Sequence, residues 1–177
     1  KNQLASTHDL AQNFAKAFNI KVMKENEKEE YVWQTCFGPG IWRIMAALIG
    51  IHGDDNGLIL PWDMAPIQIV IVPVYFSSKN TKLIVKKCKE IETKLKEYRV
   101  KFDNTDSSPG YKYNHWELRG VPIRIEIGPK EVKENKITLS LRTNPKNKIS
   151  VKLKDLVKEI EKNSTLIDKK IEEKAIL

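Results

Sequence analysis

Cysteine is scarce in this 177-residue chain: Cys36 and Cys88 are the only two, and neither has a second Cys or a His at metal-ligand spacing. That pattern excludes a disulfide framework and argues against zinc, leaving two reduced thiols of the kind a cytoplasmic protein keeps. Long apolar runs are missing as well. None approaches the roughly 20 residues that a membrane-spanning helix needs, so no membrane partner is expected. The opening Lys1-Asn2-Gln3-Leu4 has no initiator Met and no signal-peptide core, and reads as the start of an excised piece. Internal repeats are absent too.

What is present is enough for a packed core, since 41% of the residues are apolar. The length suits one average domain, or a small domain joined to part of another. Charge is distributed unevenly. Residues 1–65 hold 6 Lys/Arg against 8 Asp/Glu, whereas residues 66–177 hold 25 against 15, a net of +10. A polyanionic partner is therefore expected for the second region only, the alternative being Lys-rich helices that are merely solvated.

Periodicity predicts the elements. Leu10, Phe14 and Phe18 lie four apart and predict a short amphipathic helix over 9–19, capped by Thr7 or Asp9. The polar run Glu25–Glu30 reads as a hairpin-type loop, and Tyr31–Phe37 has strand composition. Gly38-Pro39-Gly40 then breaks the chain before an apolar helix over Ile41–Ile51 whose one charge is Arg43. A polar turn, His52–Gly57, leads to a domain boundary near Pro66. Beyond it, Ile67–Val74 reads as a central strand, 79–98 as a Lys/Glu-rich helix, and Val100–Phe102 as a short strand. Ser108-Pro109 opens a helix to about Leu118. Val121–Ile127 alternates as a strand with one buried face, Lys136–Arg142 is a further strand, and a closing helix follows Lys152. This order predicts an α/β fold with a mixed sheet covered by helices.

Three groups of residues carry a resemblance. Gln3-Leu4-Ala5-Ser6-Thr7-His8 followed by Asp9–Phe14 is similar to the strand–turn–helix after motif 2 of archaeal/eukaryotic-type prolyl-tRNA synthetases. Gly38-Pro39-Gly40-Ile41-Trp42-Arg43 resembles class II motif 3. His52-Gly53-Asp54, Gly57–Pro61, Ala65–Gln68 and the long run Ser108–Lys130 resemble the linker and anticodon-binding domain of the same family. The resemblance spans residues 3 to about 150. It implies that residues 1–65 are the C-terminal remnant of a class II antiparallel-sheet catalytic domain. Residues 66–177 would be a mixed-sheet α/β anticodon-binding domain with a trailing helix.

The resemblance also implies an activity for the parent protein: a proline–tRNA ligase that activates proline with ATP and transfers it to tRNA(Pro). Mg2+, a homodimeric parent and a cytoplasmic location go with it, and no zinc is implied for this segment. Such chemistry is mostly positioning and charge neutralisation, which suits a guanidinium fixed at a helix start behind glycines. Arg43 would contact ATP, with Gln3, Ser6, Thr7, His8, Gly38 and Gly40 lining the ATP and proline pocket. The plainer readings are an arginine escaping to solvent and a histidine at a helix start.

Trp116, Glu117, Arg119 and Lys146 would read the tRNA, by base stacking and by a carboxylate accepting from a guanine edge. The plainer readings are core packing for Trp116 and an ion pair of Glu117 with Arg119 or Lys112. The chain departs from the family pattern at Ala11, Ile41-Trp42, Asp103-Asn104-Thr105 and Leu141-Arg142-Thr143-Asn144. Motifs 1 and 2 have no counterpart here, so the 177 residues alone are expected to be inactive. Two other readings stand beside the enzyme fragment. One is a non-catalytic synthetase-like RNA-binding or assembly module; the other is a general α/β ligand-binding domain, which the +10 charge disfavours.

Overall fold

A computed structural model describes residues 2–75 and 81–176. By its internal contacts the chain forms two compact units, residues 1–47 and 48–177, dividing within a helix.

In the first unit, β1 (Ala5–Ala11) pairs antiparallel with β4 (Gln34–Pro39), placing Ser6 opposite Gly38 and His8 opposite Cys36. A hairpin of β2 (Lys21–Met23) and β3 (Glu29–Tyr31) lies between them in sequence, its loop falling where the polar run predicted. The helix expected over 9–19 is largely replaced. Residues to Ala11 are strand, because β4 supplies ladder partners that local periodicity cannot reveal. Only Asn13–Ala17 is helical (α1), with Gln12 at its N-terminal boundary and no side-chain cap from Thr7 or Asp9. Asp9 instead accepts from the Ala11 amide at 2.9 Å, where the backbone turns left-handed at φ 47°. The strand–turn–helix of the resemblance is the arrangement found. α2 (Ile41–His52) follows β4, close to its predicted span.

The second unit holds β5 (Ile69–Pro73), α3 (Thr81–Lys94), β6 (Val100–Phe102), α4 (Pro109–Leu118), β7 (Ile123–Ile127), α5 (Pro129–Glu134), β8 (Lys136–Leu141), β9 (Asn144–Lys152) and, after a short 3-10 turn, α6 (Leu156–Ile176). The mixed sheet runs β6-β5-β7-β8-β9, with β5 parallel to β6 and β7 and the rest antiparallel. Residues 79 and 80 of the predicted 79–98 helix lie outside the described residues. β5 is buried along its whole length: Ile69 and Ile71 join the main core, while Val70 and Val72 pack with Trp116 and Val121. α3, the turn that ends it and α6 seal the main core with Ile84, Cys88, Ile91, Leu95, Leu156, Ile160, Ile167 and Ile171. Each such side chain contributes roughly 1.5–3 kcal/mol of transfer free energy. Cys88 is a free thiol whose pKa burial pushes up to about 12; Cys36 is free and exposed.

Three expectations change. β7 has no solvated face, because α4 covers the side that carries Arg124 and Glu126 and buries both. β9 and α5 were not foreseen. The segment from Leu48 to Gln68 also belongs to the second unit, and named bonds show why. Trp62 donates to Asp168 at 2.7 Å, Arg99 donates to the carbonyls of Trp62, Asp63 and Ala65, and Leu58 donates to the Leu118 carbonyl at 3.1 Å.

Candidate functional site

The residues expected around ATP assemble at the open end of the β1–β4 ladder. Pairing sets Ser6 and His8 on one face of β1, since they are two residues apart, and Thr7 on the other. Ser6 Oγ and His8 Nε2 share a hydrogen bond of 2.9 Å. Gly40 lets the start of β1 approach the start of α2. Its amide donates to the Leu4 carbonyl at 2.7 Å, and a Cβ there would lie 3.1 Å from that oxygen. Arg43 sits in the first turn of α2, and its guanidinium donates to the Gln3 carbonyl at 2.8 Å. That one bond orients the fork; Arg43 has no carboxylate partner among the described residues. Gln3, Ser6, His8, Gly38, Gly40 and Arg43 thus share one end of this unit, and Thr7 faces away from Ser6 and His8.

The RNA candidates lie on α4 and the strands beneath it. Ser108 caps α4, its Oγ accepting from the Tyr111 amide at 3.3 Å, and Pro109 opens the first turn. The C-terminal end of α4 is fixed by two glycines. Gly57 (φ 126°) and Gly120 (φ 71°) are both left-handed; a Cβ on the first would enter the Leu118 backbone, and one on the second would lie 2.7 Å from Leu58 Cβ. Arg142, also buried, forms a two-pronged pair with Asp54, one arm being Nη1 to Oδ2 at 2.8 Å, and donates further to the carbonyls of Gly57 and Glu117. The hydrogen bonds from Arg142 hold the Asp54 carboxyl down at about 2.

Within that frame Glu117 accepts from Arg124 Nη1 at 2.6 Å. Its partner is neither Arg119 nor Lys112. Arg119 lies over the Trp116 ring at 5.5 Å, and Lys112 is buried, donating to the Asp103 carbonyl at 3.1 Å. Arg124 is the centre of a network. It donates to Glu126 at 3.1 Å and to Ser140 at 3.2 Å, and its guanidinium rests 4.1 Å from the centroid of Tyr113. Lys148 closes the network on Glu126 at 2.6 Å. Burial pushes the Tyr113 hydroxyl pKa up, and the Glu126 charge adds to the shift. Among the described residues, one carboxylate oxygen of Glu117 has no protein partner, on a side chain only 21% exposed. It is a preset acceptor at the edge of a hollow lined by Trp116, Arg124, Ser140, Arg142 and Pro145.

Trp116 is 6% exposed, and its indole N–H donates to Asp103 at 2.7 Å. Burial pushes the Asp103 carboxyl up, but the hydrogen bonds from Thr105 and Trp116 outweigh it and hold the pKa low. Trp116 is therefore a wall of the site rather than a free stacking surface. Lys146 is exposed on β9, beside the Pro145 that lines the hollow. Sequence reading missed Arg124, Tyr113 and Lys148; the one available signal was the charged alternation of Arg124 and Glu126 in a strand.

Residues 68–163, more than half the chain, match the model of the anticodon binding domain, and the chain belongs to that family. It is similar to three archaeal proteins in particular, each a proline–tRNA ligase. The first, from Thermofilum pendens, is 52% identical over 143 residues, covering 79% of this chain and 30% of the relative. The second, from Methanocaldococcus jannaschii, is 44% identical over 174 residues, covering 98% and 38%. The third, from Methanococcus maripaludis strain C7, is 41% identical over 174 residues, covering 98% and 37%. The chain thus spans about a third of the length of the relatives it matches.

Proposed function

We propose that this chain is part of a proline–tRNA ligase, a class II aminoacyl-tRNA synthetase. Residues 1–65 would contribute one portion of its catalytic domain and the linker after it, whose residues 48–65 belong to the second compact unit, and residues 66–177 its anticodon-binding domain. The parent would activate proline with ATP and pass it to tRNA(Pro), acting as a homodimer in the cytoplasm. The single observation that carries the reading is Glu117. It is a carboxylate with one oxygen locked by Arg124 and the other open, in a domain of the anticodon-binding family. Such a group accepts from the N–H edge of guanine, and proline anticodons share two guanines.

In the catalytic portion Arg43 would meet the triphosphate of ATP. Its fork is already aimed by the Gln3 carbonyl, so little ordering remains when phosphate arrives. Ser6 and His8 orient each other and would line the pocket on the proline and adenosine side, with Gln3 as a further polar group, while Thr7, on the opposite face of β1, would not join them. Gly38 and Gly40 add no side chain on either side of Pro39 at the strand end. Mg2+ would come with ATP. Among the described residues no three His, Cys, Asp or Glu side chains converge to hold a metal ion. Motif 2, with its α-phosphate arginine, has no counterpart in these residues, so catalysis would need the rest of the parent. No helix among the described residues is long and apolar enough to cross a membrane.

The test compares binding of a tRNA(Pro) anticodon stem-loop with one lacking either guanine, at constant salt, for wild type and Glu117→Gln. Wild type should prefer the intact loop by about 5- to 150-fold, as one good base contact gives roughly 1–3 kcal/mol. Glu117→Gln should lose most of that preference while its melting temperature stays near wild type. Equal binding of both loops by wild type would instead mark a non-specific RNA binder.

A further inference from the structure

The hollow beside Glu117 has room for about one water, near 10 Å³, so a base contacting Glu117 must sit at its mouth. A second depression lies on the other side of Trp116 and is far larger, about 440 Å³, within the range that holds a nucleoside. It opens between the end of β6 and the start of α4, and its walls include Lys101, Phe102, Asn104, Tyr111, His115 and Trp116. Nothing said above about guanine reading uses it.

Its chemistry is specific. Tyr111 is 63% exposed and stacks on His115, with ring centroids 6.1 Å apart and planes 21° from parallel. His115 stands edge-on to Trp116 at 4.9 Å, and Trp116 is anchored in turn on Asp103. The two outer rings are thus held from behind by a buried, hydrogen-bonded indole. At the rim, the Lys101 ammonium and the Asn104 carboxamide make no hydrogen bond or ion pair among the described residues. A preset aromatic pair, a free cation and a free amide are the elements that hold one unpaired nucleotide: a stacking platform, a phosphate partner and a base-edge reader.

We propose that this cleft binds one unpaired nucleotide of the RNA loop, distinct from the guanines that face Glu117. Its base lies on the Tyr111–His115 pair, with its phosphate beside Lys101. The indole of Trp116 then separates two neighbouring nucleotides, one on each side. The proposal rests on the anticodon reading above, and the charge of residues 66–177 favours RNA over a neutral aromatic ligand.

The test places 2-aminopurine at each loop position in turn of the tRNA(Pro) anticodon stem-loop. Fluorescence and affinity are then followed with the 177-residue chain. At one position the signal should be quenched on binding by wild type and by Tyr111→Phe, but not by Tyr111→Ala. Tyr111→Ala and His115→Ala should each weaken binding about tenfold, the lower end of base–aromatic stacking. Their preference for guanine and their melting temperatures should stay unchanged. Lys101→Ala should lower the slope of log affinity against log salt by about 0.7, the single-strand value for one phosphate contact. Wild-type affinity and quenching in folded Tyr111→Ala would overturn the cleft proposal and leave the anticodon reading standing. Absence of any stem-loop binding by wild type would overturn both.

Discussion

Residues 1–47 and residues 48–177 use hydrogen bonds in similar ways and burial in opposite ways. Both have paired strands and a helix, yet among the described residues every buried apolar side chain except Ala15 belongs to the second unit. The first unit exposes Phe18, Trp33, Phe37, Ile41 and Trp42 by two-thirds or more. Its ladders fix a geometry, placing Ser6 against Gly38 and Arg43 against Gln3, without removing much apolar area from water. Net stability follows burial more closely than hydrogen bonding, because unfolded backbone also bonds to water. Within these 177 residues, burial is therefore concentrated in the second unit.

The second unit is most vulnerable at Gly57. Gly57→Val places a β-branched residue at φ 126° and drives its Cβ into the Leu118 backbone, which cannot rotate away. The variant should lose about 3 kcal/mol or more, or fail to accumulate as folded protein, as read from urea unfolding. Gly38→Ala, whose Cβ would meet only ordinary contacts at 3.7 Å, should leave the same transition nearly unmoved.

A milder test truncates one apolar side chain in each unit. Ile125→Ala empties a site in the middle of the sheet and should lower stability by about 2–5 kcal/mol. Phe18→Ala removes a ring that is 70% exposed and stacks on Phe14, and should stay within about 0.5 kcal/mol. Equal losses would mean that the first unit is held by burial after all.

The smallest effect is electrostatic and depends on pH. Asp54 has its pKa lowered from the ordinary 3.8 to about 2 by Arg142, so the stabilisation it gives is present above 3.8 and is lost as pH falls toward 2. Its side chain is 40% exposed, so solvent screening holds the contribution below about 1 kcal/mol. Asp54→Asn should flatten the fall in the urea midpoint between pH 4 and pH 2. Lys21→Ala removes an exposed pair with Glu29 in the first unit and should change nothing measurable at either pH.

Much of this fold was legible in the sequence wherever the signal was local. The span of α4 was readable because Ser108 and Pro109 are adjacent cap and first-turn signals, and β6 because its three residues lie between polar stretches. Non-local pairing defeated the same approach. Leu10, Phe14 and Phe18 satisfy a helical period, but the ladder to β4 claims Leu10 for a strand. β7 alternates like a half-solvated strand, and only the packing of α4 shows that Arg124 and Glu126 are internal. β9 is Lys-rich with a Pro near its start, which disguises an edge strand. Of the candidate site, Glu117 and Lys146 were named from the sequence, whereas the groups that aim Glu117 were not. Glu117 is aimed by Arg124 seven residues on, and Asp54 by Arg142 eighty-eight residues on. The first link was hidden by burial and the second by distance along the chain.

Lys112 is a reporter of how often the domain opens. Its side chain is 2% exposed and its ammonium is bonded to the Asp103 carbonyl beneath α4, whereas most other lysines of this basic chain point outward. An amine-acylating reagent meets the outer lysines at once, but meets Lys112 only in molecules whose α4 has lifted from the sheet. The rate at which that one amine is labelled is thus a built-in clock for opening of the domain, readable by mass on a single peptide without adding any probe.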